Sequence, residues 1–343
     1  MEPTYKRKII LTKMMQPIIN PVPRELLIKE LTADKFIRET RRGGNYLFEV
    51  TAHDSPNVMR EIGRLREISF RMAGGGTGKE LDIDEFDIDP ASPYLQLIVW
   101  DPKDLEIVGG YRYISCKDLD IHKLATEELF KFSDKFVKEY MPVTIELGRS
   151  FVQPNYQSTN IRRKSLYSLD NLWDGLGALV LKYTDCEYFF GKVTMYTSYN
   201  GRARNILLNF MSHYFHDNDN LVTPITPLDC DKDNPEIAEL FRDKPYKEGY
   251  KILQHEIKNY GEHIPPLINS YMNLSPSMRV FGTSINPGFG GVEETGILIN
   301  IKDIYPEKIE RHTAPLKLWA MRMKNRWWMR KTNIRSKRIK DKV

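Results

Sequence analysis

A chain of 343 residues is long enough for one large domain or two modest ones with a sizeable core. Its content of 41% hydrophobic and 28% charged residues, with no run near the ~20 apolar residues of a spanning helix, excludes disordered and membrane-spanning proteins. The net charge of +5 conceals a basic end, because residues 316 to 343 include eleven Lys or Arg and one acid.

The N-terminal part of the chain predicts an arm followed by a helix. Residues 1–23 are basic and then proline-rich, and the segment RELLIKELTADKFIRET (24–40) has apolar residues at helical spacing. The next segment, NYLFEVTA (45–52), alternates like a strand. We therefore expect an N-terminal arm and helix over 1–44, a central domain over 45–300 and a basic extension over 301–343.

A long amphipathic helix is predicted next. Asp54 or Ser55 is a suitable cap, Pro56 stands in the first turn, and the apolar positions from Val58 to Met72 keep to one stripe.

The stretch RMAGGGTGKE (71–80) superficially resembles a nucleotide-binding loop. A phosphate loop needs a glycine where Ala73 stands and a Ser or Thr where Glu80 stands, and it follows a strand rather than a helix. We therefore reject nucleotide binding and interpret the glycines as a mobile cover over a pocket.

The remaining elements indicate a mixed α/β domain. A hairpin around Asp101–Lys103, a strand ending near Phe151, a helix over 166–181, a strand from Cys186 and a helix after Asn200 follow in order, which does not fit a doubly wound sheet. Beyond residue 229 the pattern loosens and closes on a strand. His213 and His216 lie three apart with no obvious third ligand, so we expect no metal site.

Four short patches place charge where charge is costly. They are Arg66 with Phe70 on the long helix, the acidic run LDIDEFDID (81–89) with Asp84 and Asp87, Arg112 in GGYRYIS, and Glu146 with Arg149 in VTIELGRSF. Charged residues within apolar segments need partners or water. The patches form either a structural ion-pair network or an enclosed polar cleft.

In this order, the four patches resemble those of the ornithine-lipid and glycine-lipid N-acyltransferases, and also those of the related acyl-homoserine-lactone synthases. The resemblance implies an α/β GNAT (acyl-CoA N-acyltransferase-like) fold, with a mixed, mostly antiparallel sheet flanked by helices. It further implies transfer of a long-chain, 3-hydroxylated acyl group from acyl-carrier protein to the amine of a small amino acid. Glycine is the first choice of acceptor and ornithine the second, and the product is the single-chain precursor of an amino-acid lipid.

The same resemblance implies roles for individual residues. A carboxylate such as Glu146 would remove the proton of the acceptor's ammonium, with Arg149 beside it in the catalytic pair. The substrate-binding residues would be Arg66, Phe70, Asp84, Asp87 and Arg112. A lone aromatic such as Phe70 is alternatively part of the core.

Two departures from related enzymes bear on the donor and the product. The segment QPNYQSTNIRRKS (153–165) lacks the glycine-rich pyrophosphate loop that coenzyme A requires, which favours a carrier protein as donor and no bound cofactor. Arg162, Arg163 and Lys164 would meet the acidic carrier, or else form a solvated turn. The tryptophan expected in lactone synthases is replaced by Gly76, which makes lactone synthesis the third choice.

The C-terminal end has a basic amphipathic pattern. Trp319 and Trp327 alternate with Arg322, Arg326 and Arg330, which suits an anionic membrane surface. The aromatic residues alternatively pack on the domain, and binding of nucleic acid is not expected because no recognised module accompanies them.

Cysteine usage and the N-terminus indicate the compartment. Cys116, Cys186 and Cys230 form neither a disulfide framework nor a CxxC pair, and the chain start lacks a signal peptide. We expect a cytoplasmic protein, or one held peripherally on the inner face of the membrane.

Two other functions remain open from the sequence. A non-catalytic, membrane-associated binding protein would keep the fold without needing both Glu146 and Arg149. A coenzyme-A-dependent acetyltransferase would need the pyrophosphate loop that is missing here.

Overall fold

A computed structural model describes residues 15–157, 167–228 and 234–312. Its strands are β1 (Phe36–Glu39), β2 (Tyr46–Val50), β3 (Leu95–Asp101), β4 (Glu106–Ser115), β5 (Phe130–Phe132), β6 (Thr144–Val152), β7 (Tyr188–Met195), β8 (Val222–Pro224), β9 (Arg279–Asn286) and β10 (Val292–Asn300). Its named helices are α1 (Arg24–Glu30), α2 (Pro56–Ala73), α3 (Glu85–Ile88), α4 (Ser168–Lys182), α5 (Gly201–Tyr214), α6 (Pro235–Glu239), α7 (Tyr246–Asn259) and α8 (Pro266–Met272), and a further helix runs over 306–312.

The described strands form one large sheet and one small one. The large sheet has the order β1-β2-β3-β4-β6-β7-β10-β9, and β5 pairs with β8 separately. Neighbours in the large sheet are antiparallel except β6 and β7, which run parallel. The mixed, mostly antiparallel sheet flanked by helices that the sequence predicts is therefore confirmed.

The alternation of apolar side chains along the strands divides the core between the two faces of the sheet. On β3, Leu97 and Val99 belong to the core on one face, with the apolar residues of α4, α5 and α7. Ile98 and Trp100 belong to the opposite face, where they pack with the stripe of α2. The face that packs against α2 also carries a second apolar cluster around Phe190. The same face carries buried charged residues, among them Arg66 of α2 and Asp87 of the segment that follows α2. The period of two along each strand thus separates an apolar face from a face with a polar centre.

Helix α2 begins and ends as the sequence predicts. Pro56 occupies the first turn after Ser55, and Gly74 ends the helix in the left-handed region with φ of 96°. The glycine segment that follows is held by the buried carboxylate of Glu67, which accepts hydrogen bonds from the backbone N–H groups of Thr77 (3.0 Å) and Gly78 (2.8 Å). These contacts fix the segment against α2, so it does not form a free cover.

Two regions differ from the sequence prediction. The helix predicted over 24–40 ends at Glu30, and β1 follows, because pairing with β2 at the sheet edge outweighs the helical spacing. The large sheet thus begins within the first 44 residues. Beyond residue 229, the sequence predicts only a loose pattern that closes on a strand. The structure has the amphipathic helix α7 there, which buries Gly249, Leu253 and Ile257.

Several sequence predictions lie outside the described residues. They concern Arg162, Arg163 and Lys164, the tail residues Trp319, Arg322, Arg326, Trp327 and Arg330, and Cys230. Among the residues that are described, no helix has both the length and the apolar character needed to cross a bilayer.

Close packing between α4 and the sheet predicts a glycine requirement. A Cβ atom on Gly175 would lie 2.5 Å from Leu97 Cδ2 and 2.6 Å from Tyr111 Oη. We expect Gly175→Ala to lower the free energy of unfolding by about 1–3 kcal/mol, as overpacking of a core does. Gly201→Ala is the matched control because nothing lies within 4 Å of its Cβ position. Chemical unfolding of both variants tests this, and equal stabilities would contradict it.

Candidate active site

The acidic run folds into a short capped turn that presents its carboxylates to the sheet. Asp84 caps α3 and accepts a hydrogen bond from the backbone N–H of Asp87 (3.2 Å), while the backbone N–H of Asp84 donates to the Asp87 carboxylate (3.3 Å). This reciprocal capping box fixes both carboxylates relative to the backbone. The turn therefore holds the carboxylates of Asp84 and Asp87 in defined positions.

Arg66 of α2 meets this turn inside the protein. Its Nη1 lies 3.1 Å from Asp87 Oδ2, and both side chains are fully buried. Gln96 of β3 donates from Nε2 to Asp87 (2.9 Å) and accepts from Arg66 Nη2 (2.5 Å). These three residues hold one another, so Arg66 and Asp87 brace α2 and the turn against β3.

Arg112 of β4 joins the two carboxylates of the turn. Its Nη1 lies 2.5 Å from Asp84 Oδ1 and 3.3 Å from Asp87 Oδ2. Although burial would lower the pKa of Arg112, the two carboxylates raise it well above its usual range. Burial likewise acts to raise the pKa of Asp84, but the charges of Arg112 and Arg149 hold it well below its usual range. Arg112 and Asp84 therefore stay ionised at neutral pH.

Glu146 of β6 lies beside this network and is 1% exposed. Its Oε1 accepts the backbone N–H of Thr126 (2.9 Å), and its Oε2 accepts the hydroxyl of Tyr94. The Tyr94 ring also lies under the guanidinium of Arg112, 4.9 Å from its centroid. Burial raises the pKa of Glu146, and the bonds from Tyr94 and Thr126 oppose the rise. A carboxylate with a raised pKa is suited to accept a proton.

Arg149 lies at a bulge in β6. Its φ of 51° is in the left-handed region, and the register with β4 shifts between Gly110 and Arg112 at this point. The guanidinium contacts Asp82 (3.1 Å) and Asp84 (3.4 Å) and lies 4.4 Å from the Phe289 ring centroid. The bulge therefore turns this side chain toward the acidic loop and away from regular pairing.

The two parallel strands separate next to the bulge. The β6–β7 ladder ends at the pair Leu147 and Gly191, although both strands continue. A cavity that is partly open to solvent lies at this gap. Its polar rim includes Gly148, Arg149, Ser150 and Lys192.

On the side of α4 the cavity wall is apolar. The lining residues there come from the sheet, α4 and α8, and they include Leu147, Phe189, Ile297, Ile299, Leu172, Trp173, Leu176 and Tyr271. A second cavity shares six of its lining residues with the first and reaches Ile304, Lys308 and His312. The gap in the sheet thus adjoins two apolar cavities that share part of their walls.

The rim contains Lys192, which the sequence prediction missed, and two acidic residues interact with it. Lys192 of β7 pairs with Glu294 of β10, which is 2% exposed. Although burial would raise the pKa of Glu294, the Lys192 ammonium lowers it. Glu128 lies near Lys192. Partial burial raises the pKa of Glu128, and the charge of Lys192 offsets only part of that rise. Arg112 was identified as a charge within an apolar strand. By the same criterion, Lys192 in YFFGKVTM and Glu294 in GVEETGIL could have been found from the sequence.

Thus the structure brings most of the predicted site residues together. Arg66, Asp84, Asp87, Arg112 and Arg149 form one ion-pair network, and Glu146 touches it through Tyr94. Phe70 lies apart in the apolar core, 5.1 Å from Phe289 between ring centroids, and does not line the cavity. The roles of these residues in binding and catalysis stay predictions.

The described ranges contain no group of three or more His, Cys, Asp or Glu arranged to hold a metal ion. Helix α5 ends at Tyr214, so His216 is not on the helix that carries His213. Burial raises the pKa of Cys116 and of Cys186, which leaves both thiols protonated at neutral pH.

Comparisons with known proteins place these features among acyltransferases. A family model for an acetyltransferase (GNAT) domain matches residues 65–165. Over 303 residues the chain is 52% identical to a glycine N(alpha)-acyltransferase of Phocaeicola vulgatus, covering 87% of this chain and 93% of that relative. It is 54% identical over 303 residues to a protein of the same name from Bacteroides thetaiotaomicron, covering 87% of this chain and 90% of that relative.

Among solved structures, the chain is similar to a CoA-dependent acyl-homoserine lactone synthase determined with SAM and isopentyl-CoA. The two are 15% identical, the TM-score is 0.28, and the match covers 48% of this chain and 72% of that chain.

Proposed function

Because the chain belongs to the family of the glycine N(alpha)-acyltransferases, we propose that it transfers a long-chain acyl group to the alpha-amine of glycine. The GNAT domain that the motifs predict is present, and the chain is an acyltransferase. The family and the enzyme class predicted from the sequence are thereby confirmed.

One observation supports the proposal most directly: an apolar cavity opens at the gap between β6 and β7, close to a buried carboxylate. The cavity wall formed by Leu172, Leu176 and Ile299 suits an acyl chain. Each buried methylene contributes about 0.8 kcal/mol to binding. Glu146 lies two residues before Gly148 of the rim, on the same face of β6 as the polar network. The acyl chain and the acceptor therefore approach the gap from opposite faces of the sheet.

The proposed reaction proceeds by addition and elimination at a thioester. Glu146 accepts a proton from the glycine ammonium, directly or through a water, and its two remaining lone-pair sites leave room for this contact. The amine nitrogen then bonds to the thioester carbon. The β6–β7 ladder ends at Leu147 and Gly191, and backbone N–H groups of β6 beyond that pair would stabilise the oxyanion. Collapse breaks the carbon–sulfur bond, the amide forms, and the thiolate takes up a proton.

We propose that the donor is an acyl-carrier protein and that no cofactor is bound permanently. The segment after β6 lacks the glycine-rich loop that would hold the pyrophosphate of coenzyme A. Arg162, Arg163 and Lys164 follow in sequence and suit an acidic carrier. Ornithine remains the second acceptor to test.

We also propose that the enzyme docks on an anionic membrane through its C-terminal sequence. Trp319 and Trp327 would enter the interface, and Arg322, Arg326 and Arg330 would meet the lipid phosphates. A single-chain acyl amino acid is a membrane-active product, which makes docking useful.

A direct assay tests the proposed activity. Purified protein is incubated with 3-hydroxypalmitoyl carrier protein, palmitoyl-coenzyme A or acetyl-coenzyme A and with glycine, ornithine or alanine, and products are identified by mass spectrometry. We expect N-acylglycine from the carrier-bound donor. Transfer only from acetyl-coenzyme A, or no acylation of glycine, would contradict the proposal.

The second cavity predicts dependence on acyl length. Val180 lines this cavity, whereas its neighbour Leu181 is 38% exposed. We expect Val180→Trp to exclude the distal part of a long chain. Loss of three buried methylenes lowers kcat/KM for a hexadecanoyl donor by about 60-fold relative to an octanoyl donor. Leu181→Trp serves as the control. If both variants have the same ratio of kcat/KM for the hexadecanoyl and octanoyl donors, the acyl chain does not occupy the second cavity.

A further inference from the structure

Lys192 occupies a distinctive place on the cavity rim. It is the first residue of β7 beyond the β6–β7 ladder, and its side chain is 11% exposed. The strand around it buries Phe190 and Val193. A largely buried ammonium at the mouth of an acyl cavity costs free energy, so it needs a compensating interaction.

Glu294 supplies part of that compensation and fixes the position of the charge. The Glu294 carboxylate pairs with Lys192 and also accepts hydrogen bonds from Asn286 Nδ2 (3.1 Å) and Thr194 Oγ1 (3.2 Å). The carboxylate is thus held from three sides. An ammonium has three donors, so Lys192 retains donors for a further anion.

Arg149 lies on the opposite rim of the same gap. Its Nε and Nη2 donate to Asp82 and Asp84, while its Nη1 makes no hydrogen bond within the described residues. The left-handed backbone at Arg149 and the register shift direct the guanidinium toward Asp82 and Asp84, at a position that lines the cavity. Gly148, on this rim, and Gly191, opposite it, carry no side chains that would fill the space between the two cations.

We propose that Lys192, together with Arg149, binds the carboxylate of the acceptor amino acid. This inference rests on the proposed function and adds the group that recognises the acceptor. With its carboxylate between the two cations, glycine places its amine within two bonds of that carboxylate, near the thioester carbon in the gap. Charge-assisted hydrogen bonds to a carboxylate are shorter and stronger than neutral ones. The site therefore selects amino acids over simple amines.

Comparison of glycine with glycinamide tests the proposal, because glycinamide keeps the amine but lacks the negative charge. For each protein, the ratio of kcat/KM for glycine to kcat/KM for glycinamide is measured with the same acyl donor. Division of the variant ratio by the wild-type ratio cancels the different reactivities of the two amines. We expect Lys192→Met to lower the ratio by about 10- to 100-fold, mainly through KM for glycine, which is the effect of losing a charged hydrogen bond. Lys192→Arg should restore part of it.

Loss of Lys192 alone leaves Glu294 buried without its cation, which can unfold the protein. The double variant Lys192→Met/Glu294→Gln removes both charges and should fold while keeping the lowered ratio. An unchanged ratio in this folded double variant would overturn the proposal. Absence of any glycine acylation by the wild-type enzyme would instead overturn the proposed function.

Discussion

Replacement of Glu146 by Gln is expected to lower kcat for glycine acylation by about 10²–10⁴-fold, which is the usual contribution of a general base. Gln keeps the size of the side chain and can still accept from the Thr126 N–H, so the fold should persist. Single-turnover kinetics with the carrier-bound donor measure the loss. Glu139→Gln, at an exposed position, is the control and should keep wild-type turnover.

The raised pKa of Glu146 gives this variant a second signature. Wild-type turnover should rise with pH through a value above the ordinary 4.5 of a glutamate, because the base must be ionised. Stability should respond in the opposite direction. The folded protein favours the neutral carboxyl, so this contribution is fully present below the unfolded pKa and is lost as pH rises through the folded one. As pH rises, the free energy of unfolding of the wild-type protein should therefore fall relative to that of Glu146→Gln. The same pH dependence of stability in both proteins would contradict this.

Removal of the Asp87 carboxylate is expected to give the largest loss of stability. In Asp87→Ala the guanidinium groups of Arg66 and Arg112 stay buried, and each loses a carboxylate partner. Truncation of one member of a buried ion network costs about 3–5 kcal/mol of unfolding free energy. Urea unfolding followed by circular dichroism measures it.

An exposed ion pair provides the control for this substitution. Lys138 and Asp134 are 3.3 Å apart, with side chains 74% and 95% exposed. Asp134→Ala should leave the free energy of unfolding unchanged, because water screens such pairs. If the two alanine variants have the same stability, the buried network does not brace the turn against the sheet.

The elements of the central domain are predictable because local patterns agree with the tertiary structure. The stripe from Val58 to Met72, preceded by Pro56, specifies α2, and alternation specifies β2. Local patterns fail where pairing competes with them. The segment that carries β1 has helical spacing, but an open edge beside β2 determines its conformation.

The chemistry of the site was only partly predictable. Charge within apolar segments identified Arg112 and Glu146, because such charge requires a partner wherever it is buried. Tyr94, which bonds to Glu146, carries no comparable sign in its sequence, since a tyrosine beside a strand is ordinary core. The roles of the buried carboxylates also depend on distances that spacing along the chain does not contain.

The amino-acid sequence alone was enough to predict the class of elements, the acyltransferase family and the charged residues that need partners. Periodicity and residue type are local properties and are enough for the elements, whereas the family follows from the resemblance of four ordered motifs to those of known acyltransferases. Three features could be seen only in the folded protein: β6 and β7 separate beyond Leu147 and Gly191, an apolar cavity opens there, and Lys192 and Arg149 lie at its rim. Strand pairing joins segments that are distant in sequence. Because the end of the β6–β7 pairing sets the shape of the cavity and the distance between the charges at its rim, local patterns do not predict these features.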